Sequence, residues 1–190
     1  PVVDSDYVIF VAEVASTCNE ALLMQHLLKK TSDKKQRAYL INYFLEQFRT
    51  TLYRQTMFAE FELKMSELTA NGESVNAETA TKVYLYFGPD IVHDEYIDLE
   101  WARIPHFYYN FYVYQYATGF SAAIALSQKI LSEGESAVKA YKEKFLSAGC
   151  SKDPVSILKD AGVDMSTKKP VEQALALFNS LLDEMDELMK

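Results

Sequence analysis

Trp101-Ala-Arg-Ile-Pro-His-Phe-Tyr-Tyr-Asn-Phe-Tyr-Val-Tyr-Gln-Tyr-Ala-Thr-Gly-Phe-Ser121 is the stretch whose reading decides the fold. Pro105 suits the first turn of a helix, where its missing N–H would have no intrahelical partner. The apolar run beyond it reaches Leu131 before Glu133-Gly134 ends it, so the spacing predicts one long helix. At about 100° per residue, His106, Tyr109, Tyr112, Val113, Tyr116 and Phe120 fall on one side, and Phe107, Phe111, Tyr114 and Thr118 on the other. A helix apolar on both sides is expected inside a protein or a membrane. Arg103, His106, Asn110, Gln115 and seven hydroxyl-bearing side chains between positions 108 and 121 argue against lipid, which leaves a buried, Tyr-rich helix. Each buried phenol then needs a hydrogen-bond partner. Two readings stay open for the line His106, Tyr109, Tyr112, Tyr116: core packing with hydroxyls reaching the surface, or the wall of a site whose donors face a polar substrate or a developing oxyanion.

Toward the N-terminus, Ser5 or Asp6 can begin a helix that runs through Phe10-Val-Ala-Glu-Val-Ala-Ser-Thr-Cys-Asn-Glu-Ala-Leu to about Leu28. Glu13 sits between Ala12 and Val14 in this apolar run, where a buried carboxylate is unfavourable unless paired or bound to a cation. Glu20 follows two turns on along the same face. The pair reads either as structural carboxylates bonded to other helices or as part of a metal site. No Glu-x-x-His pair occurs anywhere in the chain, which disfavours a metal-carboxylate bundle of the di-iron kind. His26 is expected at the surface or at a cap.

Residues 31–71 open with Thr-Ser-Asp and close with Asn-Gly, a cap and a stop. Between them Leu40, Phe44, Phe48, Leu52, Phe58, Phe61, Leu63, Met65 and Leu68 keep helical spacing, with Glu46, Arg49, Arg54, Glu60, Glu62 and Lys64 interleaved. This predicts a very long scaffold helix. A short helix is expected near 77–87, ended by Gly88-Pro89; His93-Asp94-Glu95 reads as a solvated loop, because three consecutive side chains on a helix do not converge. Beyond the central stretch, helices are expected from Ser132 to about Ser147, from Asp153-Pro154 to Asp160, and from Pro170 to Lys190. There is no repeat, no Gly-rich phosphate loop and no convincing strand, so the class is all-α and residues 1–190 read as a single helical unit.

With 190 residues and 49% hydrophobic content, the chain is long enough for a sizeable core. A formal net charge of −8 disfavours nucleic acid as a partner, since that affinity rests on Lys and Arg neutralising phosphates. Cys18 and Cys150 stand alone without CxxC spacing, as expected of reduced thiols in a cytoplasmic protein. No apolar run of about 18 residues and no leader-like segment appears, so no membrane partner is expected.

Two stretches go beyond pattern. Phe10-Val-Ala-Glu-Val-Ala-Ser-Thr-Cys-Asn-Glu-Ala-Leu and Arg103-Ile-Pro-His-Phe-Tyr-Tyr-Asn-Phe-Tyr-Val-Tyr-Gln-Tyr-Ala-Thr-Gly-Phe-Ser resemble the C-terminal part of the oligoendopeptidase F family, zinc metallopeptidases related to thimet oligopeptidase. The resemblance spans the chain from Tyr7 onward. It implies one zinc ion, short peptides as substrates, and a missing N-terminal part of the same protein as structural partner. In that family an HExxH helix upstream supplies two His ligands and a Glu base, and no HExxH occurs here. Carried over by motif, Glu13 is implied as the third zinc ligand and Glu20 as a carboxylate just outside the ligand set. His106, Tyr112 and Tyr116 are implied as substrate and transition-state contacts, and Tyr109 as a substrate contact. The alternative is a non-enzymatic helical module that takes a helix or peptide into an aromatic groove.

Overall fold

The computed structural model describes residues 2–86 and 96–190, and every regular element among them is helical. The α-helices are α1 (Ile9–Lys30), α2 (Lys34–Gln47), α3 (Arg54–Ala70), α4 (Ala77–Tyr86), α5 (Tyr114–Glu133), α6 (Glu135–Ala140), α7 (Pro154–Asp160) and α8 (Lys169–Met189). The all-α class expected from the periodicity therefore holds for the described residues. The chain divides into two compact units, Pro1–Leu52 with Thr118–Lys190, and Tyr53–Ala117. Gly88-Pro89 and the His93-Asp94-Glu95 loop lie outside the described residues.

The scaffold helix expected over 31–71 is helical throughout from α2 to α3, capped by Asp33, whose carboxylate accepts the Gln36 N–H. Its middle, Phe48–Tyr53, widens into a π-helical segment, where Thr50 turns its hydroxyl onto the Glu46 carbonyl at 2.8 Å. Side-chain insertion of this kind disturbs the regular i→i−4 ladder.

In the first unit, α1 lays Val11, Val14 and Cys18 against Ala122, Ala123, Ala125 and Leu126 of α5, with Tyr141, Phe145, Ile157 and Leu158 completing the core. The small residues let the two helices approach closely. At Gly119 an added Cβ would stand 3.4 Å from the Phe10 ring and 3.6 Å from Val14. Phe48 is fully buried and packs edge-on against Phe120 at 4.8 Å, with Phe44 and Phe178 each at 5.4 Å. Rings buried to this degree contribute roughly 1.5–3 kcal/mol each. Arg37 of α2 ties three elements together by donating to Glu184 of α8 and to the Leu28 carbonyl at the end of α1. At Gly149, with φ +54, a Cβ would lie 1.7 Å from the Asp4 carbonyl oxygen, so only glycine permits the Cys150 N–H to bond that same oxygen at 3.1 Å.

In the second unit, α3 contributes Phe58 and Phe61 and α4 contributes Ala80 and Tyr84 to a core closed by Ile104 and Val113. Phe107 packs on Phe58 at 5.5 Å and on Phe61 at 5.0 Å. Asn76 caps α4 by accepting the Thr79 N–H at 2.9 Å.

The central helix departs most from expectation. Pro105 does start a helix, but a 3-10 one that ends at Tyr109, and α5 begins only at Tyr114. Asn110 and Phe111 between them take φ of +51° and +58°. Nor is the stretch buried throughout: Ile104 and Val113 are, but Tyr108 is 79% exposed, Tyr109 61%, Tyr114 51% and Phe111 41%. Burial begins in earnest after Ala117, where Phe120 to Leu126 line the first unit's core.

Candidate functional site

The break at Asn110-Phe111 decides where the predicted site residues stand. Left-handed backbone is uncommon for any residue with a Cβ, tolerable for Asn and strained for Phe, at roughly 1–3 kcal/mol per residue so held. In an uninterrupted helix the Phe111 N–H would bond the Phe107 carbonyl. Here it donates to the Glu62 carboxylate of α3 at 2.6 Å. A charge-assisted bond of that length offsets part of the strain.

The consequence is a compact aromatic cluster. On a straight helix Tyr112 would lie about 9 Å further along the axis than His106. The folded-back chain instead stacks their rings at 5.6 Å with 22° between planes. Tyr109 stands edge-on to both, at 5.9 Å from His106 and 6.0 Å from Tyr112. Tyr116, from the first turn of α5, approaches Tyr112 at 5.7 Å and His106 at 6.0 Å. Its hydroxyl lies 3.3 Å from His106 Nε2. With Nε2 unprotonated the phenol donates to it; with Nε2 protonated the phenol oxygen accepts from it. His106, Tyr112 and Tyr116 are half-buried and Tyr109 is exposed. The cluster thus presents phenol and imidazole donors at a surface that an incoming polar group can reach. The four residues placed on one helical side by periodicity do come together, through a kink rather than through a continuous helix.

Beside this cluster the second unit holds a buried ionic knot that the sequence reading missed. Glu100 is buried and accepts from Arg54, from Arg103 Nη2 at 2.5 Å and from the Tyr84 hydroxyl at 2.5 Å. Burial, reinforced by the Glu100 carboxylate, pushes the Tyr84 phenol well above its ordinary pKa. Glu100 belongs to the 3-10 segment Ile97–Arg103 that leads into Ile104-Pro105-His106, so the knot anchors the strand of chain feeding the cluster. Glu62 carried a legible signal. It occupies the same helical stripe as Phe58, Phe61 and Met65, at the i, i+3, i+4, i+7 positions that face a core. Glu100 follows no such period.

Glu13 and Glu20 of α1 correct the expectation of awkward burial, because both are exposed. Residues adjacent in sequence stand about 100° apart on a helix. Val11, Val14, Cys18 and Ala21 form the buried stripe, and Glu13 and Glu20 share the outward face with each other. Among the described residues neither carboxylate has an ion-pair partner. His26 is exposed, as expected. Among the described residues no three His, Cys, Asp or Glu side chains gather where they could hold a metal ion. A cleft of about 760 Å³ in the first unit, lined by Tyr7, Glu143, Lys144, Lys152 and Asp160 among others, includes none of these residues.

The model of peptidase family M3 matches residues 1–177. The chain belongs to that family. It is 55% identical over 189 residues to "Oligopeptidase PepF" of Bacillus subtilis, covering 97% of this chain and 28% of that protein. It is 43% identical to the chromosomal oligoendopeptidase F of Lactococcus lactis subsp. cremoris, covering 100% of this chain and 32% of that protein. A crystal structure of oligoendopeptidase-F from Enterococcus faecium superposes with a TM-score of 0.88 at 44% identity, over 96% of this chain and 36% of that one. The chain thus spans about a third of the length of the curated M3 relatives it matches. No helix among the described residues is long and apolar enough to cross a membrane.

Proposed function

We propose that this chain is the C-terminal third of a zinc-dependent oligoendopeptidase that hydrolyses internal bonds of short peptides. The observation that carries the proposal is the convergence of His106, Tyr109, Tyr112 and Tyr116 into one accessible donor cluster within an M3 chain. Glu13 serves as a single carboxylate ligand, and Glu20, one step of two turns along the same exposed face, orients that ligand set. The imidazole ligands and the general base come from the part of the protein outside this chain. Zinc, when bound, supplies the Lewis acid that polarises the scissile carbonyl and acidifies the attacking water.

The chain's own residues then do three things. Tyr109, at the exposed edge of the cluster, packs against the peptide. His106 and Tyr112 orient the reacting carbonyl. Tyr116, whose hydroxyl already meets His106 Nε2, donates to the oxyanion as charge develops, and one well-placed donor of that kind is worth roughly 3–4 kcal/mol. We further propose a cytoplasmic location, supported by the unpaired thiols of Cys18 and Cys150, which suit a reducing compartment.

Metal analysis of the full-length protein, paired with cleavage of a quenched fluorescent oligopeptide, tests the function. One zinc per chain is expected, with activity lost on chelation and restored by zinc. Undiminished cleavage by metal-free protein would overturn it.

A further inference from the structure

Building on the peptidase reading, we infer that Glu62 is a positioning residue that holds the Asn110-Phe111 backbone in its left-handed turn and thereby sets the approach of Tyr112 to His106. Three observations converge on it. Glu62 is a buried carboxylate on a core-facing stripe, 8% exposed. Its Oε1 accepts the Phe111 N–H at 2.6 Å, across 49 positions of sequence. Phe111 and Asn110, at φ +58° and +51°, are the only non-glycine residues with positive φ among the described residues. A strained pair persists where its surroundings over-determine it. Here the phenylalanine ring is 41% exposed and supplies little of that constraint. The carboxylate fixes the amide instead, and the residue immediately after that amide is Tyr112, whose ring stacks on His106. Without the Glu62 acceptor, the Phe111 N–H can return to the Phe107 carbonyl and the segment can relax toward the straight helix that the sequence pattern favours. Tyr112 would then move away from His106.

The test uses the full-length enzyme. Glu62→Leu removes the acceptor, whereas Glu62→Gln keeps an oxygen in the same place. With selective ¹⁵N-Phe labelling, the Phe111 amide is expected to be slow to exchange in the wild type and in Glu62→Gln, and to lose protection in Glu62→Leu. In step with that loss, kcat should fall about 10-fold or more in Glu62→Leu with KM little changed, since misplacing a reacting group by about 1 Å costs up to about 100-fold. Glu62→Gln should stay within about threefold of wild type. Asn110 is exposed, so variants there leave the core intact if Glu62→Leu fails to fold. Asn110→Gly, which takes positive φ freely, should keep kcat, and Asn110→Val, which resists it, should lower it. A protected Phe111 amide in Glu62→Leu, or wild-type kcat in Asn110→Val, would overturn the inference. If amide protection is lost while kcat holds in both Glu62→Leu and Tyr112→Phe, the backbone clamp stands and the carbonyl-orienting role of Tyr112 falls. If Tyr112→Phe is impaired and Glu62→Leu is not, the positioning role falls.

Discussion

Glu13 and Glu20 lie on the outward face of α1 without ion-pair partners among the described residues, whereas Glu62 and Glu100 in the second unit are buried and hydrogen-bonded. The difference follows from solvation. A carboxylate taken out of water needs charged or N–H donors to offset its lost hydration, and Glu100 finds two guanidinium groups and a phenol. Its lone pairs are then committed to holding chain in place. The carboxylates of α1 stay exposed to solvent. Glu62 and Glu100 hold chain in place, whereas Glu13 and Glu20 face solvent.

The largest effect on this contrast is expected from Glu100→Ala, which leaves Arg54, Arg103 and Tyr84 without their shared acceptor. Breaking a buried pair in this way destabilises by about 3–5 kcal/mol; the lower end applies here, because the Arg103 side chain is 72% exposed and Arg54 38%. Urea unfolding of the full-length protein measures it, and a loss under about 1 kcal/mol would mean the knot is ornamental to stability.

Next in size is chemistry at the cluster. Tyr116→Phe keeps the ring and deletes one donor, so kcat should drop roughly 100-fold with little change in melting temperature. His106→Ala should behave similarly. Tyr108→Phe, on a side chain 79% exposed, is the control and should change neither. Full kcat in Tyr116→Phe would return the cluster to surface packing.

A smaller response is expected from Glu20→Ala, about 10-fold in activity, as for groups that orient metal ligands, with stability altered by no more than about 0.5 kcal/mol. Unchanged activity would make Glu20 a plain solvated residue.

Burial without charge sharpens the comparison from a third side. Cys18 is wholly buried, and that burial pushes its thiol up from 9.0 to about 11. A raised folded-state pKa gives a contribution that is complete below pH 9 and is lost as pH rises through about 11. Cys18→Ala should therefore lose less stability than wild type over that window, by about 1 kcal/mol near pH 10. Parallel alkaline melts of the two proteins check it.

Much of this was legible in the residues. Helix caps at Asp33 and Asn76, the stop at Asn71-Gly72 and the apolar stripes of α2 and α3 follow local rules that need no tertiary context. The cluster residues were legible by side, because aromatic groups at helical spacing converge whether or not the helix is continuous. The kink was not, since its cause is a hydrogen bond from Phe111 to a residue 49 positions away. Glu13 was misjudged for a related reason: its apolar neighbours in sequence point elsewhere once the chain coils. Glu100 lies in a 3-10 segment with no amphipathic period to read, and only its partners reveal it.

The most direct test of the account is Glu13→Ala in the full-length protein, with zinc content, peptide cleavage and the melting of chelator-stripped protein measured together. An exposed carboxylate that serves as a ligand predicts zinc well below one per chain and activity down by about 100-fold or more. It also predicts metal-free stability within about 0.5 kcal/mol of wild type. Full zinc occupancy with wild-type cleavage would contradict it, as would metal-free protein that unfolds, which would make Glu13 a structural carboxylate like Glu100.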